Sequence, residues 1–457
     1  MTFARLAVNL VYYHSTSWER FASMGTSDTG IPGFAGTGTY STALAELVDE
    51  MSLLQRGNLI HLDACLHDLW GLGENVILSW CPEGDGIAVL MVPHYSVAAF
   101  TNDEAPTRRD EPPPSIGSSA DAQLPPSEEF FKTLIAGRRR LTSRQMQSVA
   151  TLLGIEKIDI ALRTKLTESK REAQLIEQMI KRYSISYVPS RAVALFDIVG
   201  FGLLRPFEQM TQLNSLSYSL NSAQSKLTNK KIGIDFARTT TGDGFYVWNR
   251  DLTLDANINL YHFMHLALAD NAIARRKARA NTVPRLRACF HIGSSYEFHQ
   301  AEGLNPTIYN YIVGDVTIEL ARMIERALPD QILVGEFRAE MPFLDDESPG
   351  WVTLDSIDFV ARATHSVSAL KGMELSGERV DTIKCYLTGA QLNNGEFTVR
   401  RIIVSDKHGI SRMVYNSKAN IYRKNADPIL LGIEDRIISS EEVRQDRSEH
   451  VLRPGAT

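Results

Sequence analysis

The chain has 457 residues, more than one compact core accommodates, so two or three domains are expected. Hydrophobic residues make up 44% and charged residues 22%, the balance of a soluble globular protein rather than a disordered or fibrous one. A net charge of −6 gives no overall bias toward nucleic acid.

The first ten residues are mildly apolar but lack the charged start and cleavage site of a signal peptide. The longest apolar run, "GIAVLMVPHYSVAAF", is too short to span a bilayer and carries Pro93 and His94. Cys65, Cys81, Cys289 and Cys385 form no CxxC pair, which fits buried thiols in a reducing compartment. A cytoplasmic protein with no membrane and no nucleic-acid partner is expected. Residues 1–100, an N-terminal region of uncertain fold and role, hold a helical stretch "TALAELVDEMSLLQ" and two strand-like runs. Residues 101–129, rich in Pro, Ser and charge, read as a flexible linker and domain boundary.

A helical connector is expected over residues 130–185. Within it, Ala173, Ile176, Ile180 and Tyr183 recur at spacings of three and four, the seam of an amphipathic helix. That seam fits either packing on the adjacent domain or a short coiled coil between two chains. From residue 188 strands and helices alternate. "RAVALFDIVGF" is a buried strand running into a glycine turn, and "PFEQMTQLNSLSYSLNSAQSKL" is helical. "GIDFARTT" and "FYVWNR" form a hairpin, and "INLYHFMHLALADNAIARRKARA" is a long helix. Strand "RLRACFHIG", helix "DVTIELARMIERAL" and strand "QILVGE" follow. The pattern predicts an α+β fold, a mixed sheet with helices on one face, closing with "SALKGMELSGERVDTIKCYLTG" near residue 388. Residues 389–457 hold three further strands, with a tight turn at Asp406 to Gly409, and suggest a separate small β-rich domain.

Two carboxylates stand out. Asp197 ends the apolar run "AVALF", and Asp243 sits between two glycines at the hairpin tip in "TTTGDGFYVW". A second "GDG", at Asp85, lacks a companion strand ending in a carboxylate. Carboxylates at neighbouring strand ends, beside a glycine turn opening onto a helix, can hold one or two Mg²⁺ while the turn's N–H groups face phosphates. Mg²⁺ prefers one or two carboxylates plus substrate phosphates, which makes phosphoryl transfer the natural chemistry.

Five motifs in this order, "ALFDIVGF", "TTTGDGFYVW", "LRACFHIGSSYEF", "YNYIVGDVTIELARMIERA" and "LKGMELSGERVDTIKCYL", resemble the class III nucleotide cyclase catalytic domain over residues 186–388. The resemblance implies a palm-like mixed sheet with flanking helices, working as a homodimer with active sites at the interface. It implies two Mg²⁺ or Mn²⁺ ions on Asp197 and Asp243, with the Ile198 carbonyl as a further ligand. The loop 198–202, with Gly200 and Phe201, would cradle the triphosphate, and Lys371 would meet it. Arg322 would be the arginine that the partner chain offers to the transition state. The implied reaction turns a nucleoside triphosphate into a 3′,5′-cyclic nucleotide and pyrophosphate. His291 is tempting as a base but reads as a core or interface histidine.

Departures from the family bear on the substrate. Adenylate cyclases carry a lysine and an aspartate where this chain has Thr239 and Tyr311, and the guanine-reading Glu and Cys are absent too. Hydroxyls here can meet the O2, N3 or C4 substituent of a pyrimidine. Arg238, beside Thr239, would alternate to the other sheet face. The family's transition-state asparagine is Ile318, and the neighbouring Glu319 does not replace an amide donor. The altered base pocket and the C-terminal segment are similar to the pyrimidine nucleotide cyclases of bacterial Pycsar anti-phage systems. The implied product is cyclic CMP or cyclic UMP, a second messenger acting on a separate effector. Residues 389–457 would then be a sensor-like domain, with His408 as a ligand position or part of a plain turn. A purine cyclase, or a catalytically inactive cyclase fold that senses or scaffolds, are the alternatives.

Overall fold

A capping box starts the first described helix of the computed structural model. Ser52 accepts from the Gln55 N–H and Gln55 answers the Ser52 N–H, opening α1 (Leu53–Trp70). The structure describes residues 51–101, 128–167, 169–301, 308–343, 350–390, 398–405 and 409–440. All of them fall within one compact unit, residues 39–457. Most of the expected helix at 42–55, and most of the expected linker, lie outside the described residues.

Strands β1 (Asn75–Glu83) and β2 (Gly86–Pro93) form a hairpin whose tip is the first "GDG". Helix α2 (His94–Thr101) follows, then α3 (Glu128–Ala136) and α4 (Ser143–Leu153). Strand β3 (Ile158–Ala161) pairs antiparallel with β2. Helix α5 (Lys170–Arg182) buries Ile176 and Ile180, with Tyr183 just beyond its end, and its Glu177 carboxylate accepts the Trp80 indole N–H at 3.0 Å. The amphipathic seam is thus packed within the chain, the first of its two readings. Residues 130–185 are more than a helical connector. They supply β3 and three helices to the small unit that β1 and β2 begin, because β2 has a free edge that β3 completes. The expected linker falls inside this unit rather than between domains.

Strand β4 (Ile185–Ile198) leads into the large sheet, and Pro206 at the first helical position opens α6 (Pro206–Asn229). Then come β5 (Phe236–Thr240), β6 (Gly244–Asn249), α7 (Leu254–Lys277), β7 (Leu286–Ala301), β8 (Ile308–Val313) and α8 (Asp315–Arg326). Strand β9 (Ile332–Gly335) precedes a separate two-stranded pair, β10 (Arg338–Phe343) and β11 (Gly350–Asp355), and helix α9 (Ser356–Ser366). The last described elements are β12 (Glu374–Leu375), β13 (Glu378–Leu387), β14 (Arg401–Ser405), β15 (Ser411–Arg423), β16 (Ile429–Leu431) and α10 (Asp435–Ser440).

The large sheet is mixed and 11-stranded, ordered β12-β13-β15-β9-β7-β4-β6-β5, with β8 on β7 and β14 and β16 on β15. Pairing is antiparallel except between β7 and β9. Side-chain alternation along β4 divides the core. Ala192, Ala194, Phe196 and Ile198 face α6, α7 and α9, whereas Val193 and Leu195 face α8 and α10. The expected one-sided layer is therefore two-sided: α8 covers the second face because Val316, Leu320, Met323 and Ile324 form an apolar stripe that must be buried. The described part of residues 389–457 likewise does not fold as a separate domain. Strand β15 inserts between β13 and β9, pairing with both, and so joins the sheet of residues 186–388.

Candidate active site

Both "GDG" stretches owe their glycines to hairpin packing. Gly84 and Gly242 sit at φ +54° and +100°, where a side chain strains the backbone. A Cβ on Gly86 would stand 2.0 Å from the Ile160 carbonyl oxygen, and one on Gly244 would stand 1.9 Å from that of Phe196. Each second glycine lets a neighbouring strand close. What separates the two hairpins is the residue across the sheet. Asp85 is exposed at its tip, whereas Gly244 pairs in register with Asp197 and the Ile198 N–H donates to the Asp243 carbonyl at 3.0 Å.

The two carboxylates therefore meet at one end of the sheet. Asp197 is 6% exposed, and burial pushes its carboxyl above the usual range. The Arg287 guanidinium pulls it down, and the facing Asp243 carboxylate raises it again. Arg287 Nε donates to Asp197 Oδ2 at 2.6 Å, and its Nη1 donates to the Ala327 carbonyl just after α8 at 3.1 Å. Asp243 is half-buried and accepts from the Thr241 hydroxyl at 3.2 Å. Two carboxylates set against each other, one already holding a cationic side chain, fit a hard cation with oxygen ligands. Among the described residues no group of three or more His, Cys, Asp or Glu side chains is set to hold a metal. The described side chains thus contribute two carboxylates at this sheet end, and no third His, Cys, Asp or Glu joins them.

Arg287 escaped the reading of the sequence. The signal was present: each is a charge beside an apolar run, in "AVALFD" and "LRACF", and antiparallel β4–β7 register makes them partners.

The other anticipated residues distribute as follows. Ile198 is buried and ends β4; Gly200, at φ +71°, and half-buried Phe201 form the turn before α6. Gln209 on α6 donates to the Phe201 carbonyl at 3.1 Å, which anchors this turn on the first helical turns of α6. Thr239 lies in the row Leu195–Tyr246–Thr239, on the same sheet face as Asp197. Arg238 points to the opposite face, as alternation requires, where it donates to Asn221 at 2.9 Å and lies over the Phe245 ring. Tyr311 is 36% exposed on β8, beside β5, its ring stacked on Phe298 at 5.5 Å. Arg322 is half-buried on α8, one turn from Ile318, which is 45% exposed.

Lys371 is exposed near Asp381 at 3.9 Å, and its carbonyl accepts from Lys230 at the C-terminal end of α6. The 24 residues of α6 span about 36 Å, so Lys371 stands a helix length away from the turn at Gly200. A single protomer does not bring it to the carboxylates. His291 pairs with Val193, four residues before Asp197 on β4, and is buried beside Gly335 and the edge of Phe337. Burial holds its imidazole down at about 4, so it is a packed core histidine. His408 lies outside the described residues. No helix among the described residues is long and apolar enough to cross a membrane.

No protein-family model and no curated protein matches the chain. Solved structures similar to it include the guanylate cyclase domain of RhGC from Catenaria anguillulae in complex with GTP, at 12% identity and TM-score 0.31 over 52% of this chain and 100% of that one. The adenylyl cyclase CyaB from P. aeruginosa is similar at 11% identity and TM-score 0.30, over 53% of this chain and 98% of that one. The guanylyl cyclase Cya2 is similar at 13% identity and TM-score 0.27, over 37% and 91%.

Proposed function

We propose that the chain is a class III-type nucleotide cyclase that converts CTP to 3′,5′-cyclic CMP, or UTP to cyclic UMP, and pyrophosphate, as a messenger in anti-phage defence. The observation that carries this reading is the meeting of Asp197 and Asp243 at neighbouring strand ends, beside the Gly200 turn that opens α6. The five ordered motifs supply the reaction class, and Thr239 and Tyr311 supply the base preference.

Asp197, Asp243 and the Ile198 carbonyl would hold Mg²⁺ or Mn²⁺. Bound there, the metal supplies acidity to the ribose 3′-hydroxyl and counter-charge to the phosphates. The turn of Gly200 and Phe201, at the N-terminal end of α6, would offer backbone N–H groups to the triphosphate. Arg287, already against Asp197, is placed to share its charge with phosphate oxygens once the carboxylate has another cation. The 3′-hydroxyl would give its proton to water as its oxygen bonds to the α-phosphorus, while the bond to the bridging oxygen breaks and pyrophosphate leaves. Arg322 would meet the charge growing on the transferred phosphate. Lys371, remote from the carboxylates in its own protomer, would serve the site of a second copy, which makes a homodimer the working unit. Thr239 and Tyr311, on adjacent strands, would read the base through hydroxyls.

The test is incubation of the purified chain with each of the four nucleoside triphosphates and Mn²⁺ or Mg²⁺, with products resolved by mass. Cyclic CMP or cyclic UMP is expected. Faster cyclisation of ATP or GTP than of CTP and UTP overturns the base assignment, and no cyclic product from any of them overturns the enzyme. Exposed Ile318, where the family has an amide donor, favours as second reading an inactive cyclase fold that binds a nucleotide, and the same assay separates the two.

A further inference from the structure

Helix α8 carries Arg322 and touches more than the strands beneath it. At 100° per residue, Val316, Leu320, Met323 and Ile324 define its buried stripe. Thr317 lies on one flank, where its carbonyl accepts from the Tyr246 hydroxyl at 3.1 Å. Glu319 lies on the other flank, beside the C-terminal strands, and the Arg412 guanidinium of β15 closes an ion pair on it. Arg322 is three residues further along the helix from Glu319, so it projects beside that second flank.

The apolar contacts continue the same way. Ile402 and Val404 of β14, Val414 of β15 and Ile438 of α10 share one core cluster with Leu320, Met323 and Ile324. Helix α10 is in turn tied back by Arg400 to Asp435 at 3.0 Å. The side chain of Arg412 is 11% exposed and that of Glu319 29%, so the pair is shielded enough to hold geometry rather than merely to decorate the surface. A helix held on one flank by Tyr246 and on the other by Arg412 is restrained against rolling about its axis, and its roll sets the direction of Arg322.

The geometry points to Arg412 as a positioning residue: through Glu319 it sets the roll of α8 and thereby aims Arg322, making residues 398–440 a strut for the site. This rests on the cyclase reading for the role of Arg322 but not for the role of the strut. Misplacement of a catalytic group by about 1 Å costs up to about 10²-fold, so Arg412→Met is expected to lower kcat about tenfold. KM for nucleotide should change less than about twofold, since the residue touches no substrate.

The deciding experiment is a double-mutant cycle in the full chain between Arg412→Met and Arg322→Ala. If Arg412 acts through Arg322, Arg412→Met has no further effect on kcat in the Arg322→Ala background. The exchanged pair Glu319→Arg with Arg412→Glu should recover most of the activity lost in either single variant, which guards against misfolding of one of them. Amide hydrogen exchange provides an arm independent of turnover: protection over residues 315–326 should fall in Arg412→Met while α6 stays unchanged. An undiminished kcat loss in the Arg322→Ala background, or unchanged protection over α8, overturns the proposal. If the wild type makes no cyclic product, the cyclase reading fails, and the exchange arm still decides the strut.

Discussion

Replacing Arg287 by Met should expose how much the site depends on charge balance at Asp197. The pair is short, 2.6 Å, with side chains 8% exposed for Asp197 and 26% for Arg287. Removing one partner of a buried pair costs about 3–5 kcal/mol; with Arg287 a quarter exposed, water screens part of the field, and about 1–3 kcal/mol is expected. The loss should depend on pH. Asp197 already binds its proton more tightly than an ordinary carboxyl, through burial and Asp243, and without Arg287 it binds it more tightly still. Between the ordinary carboxyl pKa and the raised one, the folded chain holds more protons than the unfolded one, so stability falls as pH rises through that window. Relative to wild type at each pH, the deficit of Arg287→Met should thus be largest above the raised carboxyl range, near about pH 8, and shrink toward the ordinary carboxyl value, near about pH 4, by up to about 1.4 kcal/mol per unit of added shift. Mn²⁺ at about a hundred times its Kd would return about 2.7 kcal/mol, enough to offset most of it. Urea unfolding at the two pH values, with and without Mn²⁺, provides the measurement. A deficit that is the same at both pH values and insensitive to Mn²⁺, or that persists when Asp197→Asn is combined with Arg287→Met, refutes the reasoning.

Asp243→Ala should abolish cyclic product, whereas Asp85→Ala in the other "GDG" should leave turnover unchanged; equal effects on turnover would remove the link to Asp197. Gly244→Ala should cost about 1–3 kcal/mol in urea unfolding, because its Cβ would stand 1.9 Å from the Phe196 carbonyl oxygen, and should lower activity by parting β4 from β6. Combining Thr239→Lys with Tyr311→Asp should raise the rate with ATP relative to CTP and UTP, read by product mass; an unchanged ratio removes both residues from base recognition. Burial holds His262 and His291 down at about 4 and His265 at about 3. The unfolded chain takes up these protons below about 6.5, so acidification through that value costs stability, up to about 1.4 kcal/mol per pH unit for each histidine. A flat stability profile between about pH 6.5 and 4.5 in urea unfolding would show that these rings are not held neutral.

Local signals were strong where the chemistry is local. The glycine-flanked bend at Asp243, the apolar run into Asp197 and the α8 stripe follow from backbone freedom and side-chain period, and each was legible. Partnership was not. Alternation says that "FTVRRIIVSDKHGISRMVYN" contains strands but not whose edge they join, so residues 389–457 read as a separate domain, whereas β15 lies between β13 and β9. The proline- and charge-rich stretch at 101–129 likewise read as a boundary, although β3 returns beyond it to complete the sheet of β1 and β2. Arg287 read as one charge in a strand because its partner lies 90 residues away in sequence.

Turns and the apolar faces of strands and helices were legible along the chain, because they depend on residues within a few positions of one another. Folding sets Asp197 against Asp243 and Arg287, leaves Lys371 a helix length away and packs the C-terminal strands on α8. Strand register and helix docking bring together groups that the chain separates by tens to hundreds of residues, and no local pattern encodes that distance.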